Sequence, residues 1–180
     1  MAKIALARFC PRCGNAAEMD VALIPITRDN WRDIRALELK PEQVKFVTPP
    51  IQTFARCLMK VFGDEYEHLP HLIVRDDEVV GYATFACDPT STHDYWLDDI
   101  AVDYRQQGRG YGRAATLEAI KTILKRWPQA QGIRLTCFRE NRIAAGLYVS
   151  LGFHPTGLLD NEFGEPVYEL SGAALEKYRR

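Results

Sequence analysis

Gly108, Gly110 and Gly112 alternate with Arg109, Tyr111 and Arg113 inside the stretch Asp99-Ile-Ala-Val-Asp-Tyr-Arg-Gln-Gln-Gly-Arg-Gly-Tyr-Gly-Arg113. The apolar run Ile100-Ala101-Val102 leads into these glycines, and a helical pattern follows at once. Glycines at a strand-to-helix junction let backbone N–H groups turn toward a ligand, and the helix N-terminus adds partial positive charge. Arg105, Arg109 and Arg113 add cations, with Lys121 and Lys125 beyond, and Glu118 is the only acid between residues 104 and 125. These residues predict a local anion site, and a phosphate is the ligand it suits. The alternative is a flexible turn carrying solvated arginines. Arg113-Ala114 stands where a Walker loop needs Lys-Ser/Thr, and Gly-x-Gly-x-Gly in mid-chain is not the dinucleotide spacing.

A second group of residues lies further on, in Asn141-Arg-Ile-Ala-Ala-Gly-Leu-Tyr-Val-Ser-Leu-Gly-Phe153. Asn141 reads as a helix N-cap, and Tyr148 falls two turns later on the same face. A polar cap and a phenol on one face suit a ligand lying along the helix; equally, Asn141 is an ordinary cap and Tyr148 a half-buried core residue. Asp98 and Asp99 lie within a predicted strand just before the glycines. A strand alternates faces, so only one of them points into a site unless a bulge intervenes.

The elements that must position these residues follow from periodicity. Val21–Ile26 reads as a strand, Asn30–Leu39 as a helix capped by Thr27, and 41–50 as a loop. Ile51–Val61 reads as a helix, amphipathic through Phe54, Leu58 and Val61. Residues 71–75 and 79–86 form a predicted hairpin, 95–102 a strand, 111–127 a long helix, and 133–138 a strand. Arg142–Leu151 is a helix closed by Gly152, and 166–170 a last strand before a polar tail. The order predicts an α/β domain with a mixed sheet flanked by helices.

Composition bounds the rest. The chain has 180 residues, an apolar share of 47%, a charged share of 26% and a net charge of −1. That length suits one domain, and the neutral balance gives no field for nucleic acid. No apolar run approaches the length of a membrane span, and Arg8 and Arg12 interrupt the opening segment too early for a signal peptide. Cys57, Cys87 and Cys137 sit in apolar periodic segments as free thiols, which points to a reducing cytoplasm. The four histidines show no metal-ligand spacing and are taken as structural.

Gln107-Gly-Arg-Gly110-Tyr-Gly112 resembles the Gln/Arg-x-x-Gly-x-Gly/Ala signature of the GCN5-related N-acetyltransferases. The later stretch resembles that family's Asn-x-x-Ala-x-x-Leu-Tyr-x-x-x-Gly-Phe helix at Asn141, Ala144, Leu147, Tyr148, Gly152 and Phe153. The motifs stand in the family's order, and the likeness spans residues 20–170. Ile26–Trp31, Leu37-Glu-Leu39 with Gln43, Phe46-Val47, Tyr95-Trp96, Thr156-Gly157 and Gly164-Glu165 are similar to bacterial spermine/spermidine acetyltransferases, with a departure at Asp99, where that group is basic.

The resemblance implies the family's fold, with a mostly antiparallel central sheet, and an N-acetyltransferase that takes acetyl-CoA as donor and a small primary amine as acceptor, a polyamine first. Pantetheine would pair with the backbone of Ile100, Ala101 and Val102. The pyrophosphate would sit on amides from Gln107 through Gly108, Arg109, Gly110, Tyr111 and Gly112 to Arg113. Asn141 would bind the pantetheine chain, and Tyr148 would protonate the leaving thiolate. An alkyl ammonium must lose a proton before attack, and the oxyanion needs a donor, here a backbone N–H near Val102. Asp99 is the first candidate base and Asp98 the second, directly or through water. An acidic cleft would concentrate a polycation, with Asp94 as a further contributor, although Asp64, Glu65 and Glu67 read as a solvated loop.

Other readings are a different amine (an amino acid, an aminoglycoside, a protein N-terminus), or a non-catalytic acyl-CoA-binding or zinc-linked module. Residues 1–18 form an N-terminal extension and 19–180 the domain. Cys10-Pro-Arg-Cys13 resembles half of a zinc ribbon, but no second pair follows, so no metal is assigned. A homodimer is a family expectation.

Overall fold

A computed structural model describes residues 20–61, 63–160 and 163–179. The expected boundary at residue 19 and the Cys10/Cys13 pair lie outside the described residues. Seven strands form one sheet: β1 (Ala22–Pro25), β2 (Glu67–Arg75), β3 (Glu78–Cys87), β4 (Tyr95–Val102), β5 (Gly132–Thr136), β6 (His154–Leu159) and β7 (Pro166–Ser171). Their spatial order is β1-β2-β3-β4-β5-β7-β6, antiparallel at every junction except β4–β5. The helices are α1 (Pro50–Met59), α2 (Tyr111–Arg126), α3 (Arg142–Ser150) and α4 (Gly172–Glu176).

The β2–β3 hairpin closes on Asp76-Asp77, both at positive φ (48° and 66°), as the tight hairpin turns that match strand twist require. Helix α2 covers one face of the sheet. Its Ala115, Ala119, Ile120 and Ile123 are fully buried, and the two alanines let the helix approach closely. On the opposite face, Ile34 and Leu37 pack with Leu72, Tyr82 and Ala101, and Phe54 of α1 joins them.

Several local expectations change. Residues 31–36 form a 3₁₀ helix, capped at Asn30 rather than Thr27. Asn30 Oδ1 instead accepts from the Thr27 amide, and its Nδ2 donates to the Pro25 carbonyl, so its side chain ties the turn to β1. Helix α1 buries Pro50, Thr53 and Cys57, whereas Leu58 and Val61 are exposed. Its inward face is thus set by a polar residue, which an apolar count passes over. Strand β6 lies at the sheet edge and is exposed at nearly every position, so it has no apolar alternation to reveal it. The expected polar tail contains α4, whose Leu175 is buried.

Candidate active site

Strand β4 carries the site through one irregularity. Its register with β3 runs Cys87↔Tyr95, Ala86↔Trp96, Phe85↔Leu97, then Thr84↔Asp99, so Asp98 is the extra residue of a bulge. The bulge shifts the alternation. Leu97 packs into the cluster beneath α2, whereas Ala101 packs on the opposite face against Tyr82. The strict alternation that would separate Asp98 from Asp99 is therefore broken, and both line one cleft of about 970 Å³. Thr84 Oγ1 donates to Asp98 Oδ2 at 3.1 Å and accepts from the Asp99 amide at 3.1 Å, which holds the bulge.

The same irregularity opens an edge. β4 and β5 pair only at Trp96↔Arg134, so beyond that point the strands diverge. The Asp103 amide donates to the Val80 carbonyl at 2.8 Å, which makes that a hydrogen-bonded pair. Antiparallel alternation then turns Ala101 toward β3 and points the N–H and C=O of Ile100 and Val102 at the open side. Gln107 Nε2 donates to the Val102 carbonyl at 2.9 Å and to Gln43 Oε1 at 3.0 Å, which ties the glycine loop back to the strand.

The loop itself is built for backbone approach. Gly108 and Gly110 have φ of 78° and 86°, and a Cβ on Gly108 would meet nothing within 4 Å. Helix α2 starts at Tyr111 without a side-chain cap, and its first internal bond is Ala114 N to Gly110 O. The amides of Tyr111, Gly112 and Arg113 thus lack partners in the preceding turn. Of the arginines, Arg109 is exposed beside them, and Arg113 donates to Ser150 Oγ at 2.8 Å. Arg105 does not belong with them: it clasps the buried Asp103 at 2.6 Å and 2.8 Å. That pairing, through the Arg105 hydrogen bonds first, holds the Asp103 carboxyl down at about 2.

Asp99 is the most perturbed carboxyl. Burial first, and then the neighbouring Asp98 charge, push it up to about 7, against donation from Thr53 and the Thr48 amide. Thr53 Oγ1 lies 2.8 Å from Asp99 Oδ2. Asn141 is the N-cap of α3, its Oδ1 accepting from the Ala144 amide at 3.3 Å, which leaves Nδ2 for another partner. Tyr148 sits edge-on to Phe153 with ring centroids 5.9 Å apart. Burial, then Cys137, then Asp99 raise its phenol pKa, so it keeps its proton at neutral pH.

The cleft also contains residues for which the sequence suggested no role. Asp160 and Glu165 line it together with Phe46, Trp96, Phe138 and Phe163. By contrast, Asp64 pairs with Lys60 at 3.4 Å and Glu67 with Arg126, and neither lines the cleft. Asp94 is bound to Arg134 at 3.5 Å. Among the described residues no group of His, Cys, Asp and Glu is placed to hold a metal.

A splayed parallel strand pair, a bulged acid-bearing strand and a glycine loop feeding an uncapped helix thus stand together on an α/β fold. The chain belongs to the acetyltransferase (GNAT) family, which its residues 31–153 match. It is thus an acetyl-CoA-dependent N-acetyltransferase. It is 28% identical over 147 residues to a spermine/spermidine N(1)-acetyltransferase of Bacillus subtilis, covering 79% of this chain and 93% of that one. Its fold matches that of a Vibrio cholerae spermidine N-acetyltransferase in complex with CoA and spermine, with a TM-score of 0.66 at 16% identity, over 89% of this chain and 99% of that one. An aminoglycoside acetyltransferase in complex with coenzyme A has the same fold, with a TM-score of 0.69 at 16% identity, over 89% of this chain and 100% of that one.

Proposed function

We propose that this protein acetylates a primary amine of a polyamine such as spermidine or spermine. The observation that carries the reading is the cleft beside the open edge of β4, where Asp98, Asp99, Asp160 and Glu165 outnumber Lys45, Arg56 and Arg134 and stand among aromatic rings. A chain of ammonium groups separated by methylenes is drawn by the acids and packs its carbons on the rings. The substrate named for the Bacillus relative supports the same class.

The donor supplies an acyl thioester whose carbonyl carbon an uncharged amine can attack. Asp99 takes a proton from the acceptor ammonium, with Asp98 beside it holding the acceptor's charge. The N–H bond breaks, an O–H bond forms on the carboxyl, and the freed lone pair attacks. Backbone N–H groups on the open edge at Ile100 and Val102 hold the pantetheine and the developing oxyanion, with Ala101 fixing the strand against β3. Amides from Gln107 to Arg113 hold the pyrophosphate, and Asn141 Nδ2 donates to the pantetheine. As the C–S bond breaks, Tyr148 gives its proton to the thiolate, and the attacking nitrogen, left with one proton more than an amide holds, passes it through water to the phenolate.

The reading extends to a cytoplasmic protein with no nucleic-acid or membrane partner. It also includes a homodimer, for which edge strand β6, with Leu158 and Leu159 exposed, offers the surface.

Acetyl transfer to spermidine, spermine, putrescine, lysine and aminoglycosides, read by product mass, tests the reading. Turnover confined to polyamines is expected. Turnover confined to aminoglycosides, or to none of these amines, would overturn the acceptor class.

A further inference from the structure

Thr53 is completely buried on α1, and its hydroxyl faces the Asp99 carboxyl, the Thr48 carbonyl and the Tyr82 hydroxyl. Oγ1 lies 2.8 Å from Asp99 Oδ2 and 3.1 Å from the Thr48 carbonyl oxygen. A hydroxyl has one hydrogen to donate and two lone pairs that accept. The Thr48 carbonyl can only accept, and the Tyr82 hydroxyl also donates to it. When Asp99 is ionised, Thr53 must donate to the carboxylate. When Asp99 carries a proton, the carboxyl can donate to Oγ1, and the Thr53 hydrogen is free to turn to Thr48. Each state of Asp99 is then hydrogen-bonded, and no buried polar atom is stranded by the gain or loss of a proton.

We propose that Thr53 is a positioning residue for the proton transfer, a two-way hydroxyl that keeps the Asp99 carboxyl paired in both its charged and its neutral form. The inference rests on the reading of Asp99 as the base. Several other groups also face Asp99: Asp98 on its own strand, Arg56 and Cys57 on α1, Tyr82 and Thr84 on β3, and Tyr148 on α3. A charged acceptor gains more from a donor than a neutral one, so removing the hydroxyl favours the protonated form.

The test is the pH profile of kcat/KM for spermidine in a graded series, Thr53→Ser, Thr53→Cys and Thr53→Val, each compared with the parent at every pH so that substrate titration cancels. Thr53→Ser should superimpose on the parent. Thr53→Val should move the acid limb up by about one pH unit, lowering activity about fivefold at pH 7 and converging with the parent above about pH 9. Thr53→Cys, a weaker donor of similar size, should fall between, and it serves if the valine variant does not fold. Carboxyl titration of Asp99 in the donor-free protein, followed by carbon NMR of labelled aspartate, should shift the same way. An unmoved limb with activity lowered equally at all pH values would reduce Thr53 to a packing role and overturn the inference. Asp99→Asn separates the two readings. If that variant keeps turnover, the base assignment fails; if it loses turnover while the Thr53→Val limb stays in place, the Thr53 role alone fails.

Discussion

Asp98 and Asp99 are consecutive in β4 yet line the same cleft, because Asp98 is the extra residue of a bulge opposite Thr84 and Phe85. The bulge brings two carboxyls together, so ionising the buried one works against both burial and a like charge. A carboxyl held near neutrality suits a base at cellular pH, and it also costs the fold.

That cost has a sign. In the folded chain Asp99 titrates at about 7, above its unfolded value of about 3.9, so the folded state holds a proton that the unfolded state releases between those values. Its contribution to stability is therefore lost as pH rises from about 4 to about 7. Asp99→Asn should be inactive but more stable than the parent at pH 8, with the gap closing below about pH 4. Denaturant melts of both proteins across this range check it, and equal midpoints at pH 8 would contradict it.

Arg105 belongs to the scaffold rather than to the donor site. Its partner Asp103 has a carboxyl depressed to about 2, so the pair stabilises the fold above about pH 4 and loses that effect as pH falls through 2. Arg105→Ala should lower the melting midpoint at pH 7, with a smaller difference at pH 3, and leave the KM for acetyl-CoA within about twofold. A large rise in that KM would return Arg105 to the anion site.

Asn141 has two separable jobs. Its Oδ1 caps α3, and its Nδ2 is the proposed donor to the pantetheine. Asn141→Ala should cost about 1 kcal/mol and raise the KM for acetyl-CoA, whereas Asn141→Asp keeps the cap acceptor and should recover stability alone. If Asn141→Asp recovers both, the Nδ2 role is wrong.

Gly81 sets the spacing of β3 and β4 next to the site. A Cβ there would lie 2.3 Å from the Ala101 carbonyl oxygen and 3.1 Å from Ile73 Cδ1. Because backbone cannot yield as a side chain can, Gly81→Ala should destabilise by about 3 kcal/mol, measured by denaturant melts, and should weaken donor binding by displacing β4. An unaffected midpoint would mean that the strands separate freely.

The glycine loop before α2 and the Asn141 cap of α3 were legible from the residues alone. Glycines that must adopt positive φ, a strand before them and a capping Asn two turns ahead of a Tyr are local demands, and local demands are written in contiguous sequence. Most strands and the two longest helices were legible for the same reason, since their apolar periods repeat every few residues. The grouping of Asp98, Asp99, Asp160 and Glu165 around one cleft was decided only by tertiary structure. A bulge leaves no mark in composition, yet it turns Asp98 and Asp99 into one cleft and frees the edge of Ile100 and Val102. Thr53 reads as an unremarkable helix residue until α1 packs over β4 and sets its hydroxyl against Asp99, 46 positions away in the chain. Asp160 and Glu165 reach the cleft because β6 and β7 form the far side of the splay. The acids Asp64 and Glu67, nearer in sequence to the site strands, are spent on Lys60 and Arg126. Periodicity records which face of an element is dry. Which elements then meet across that face depends on long-range packing, and Asp99, Thr53 and the other acids of the cleft are brought together there.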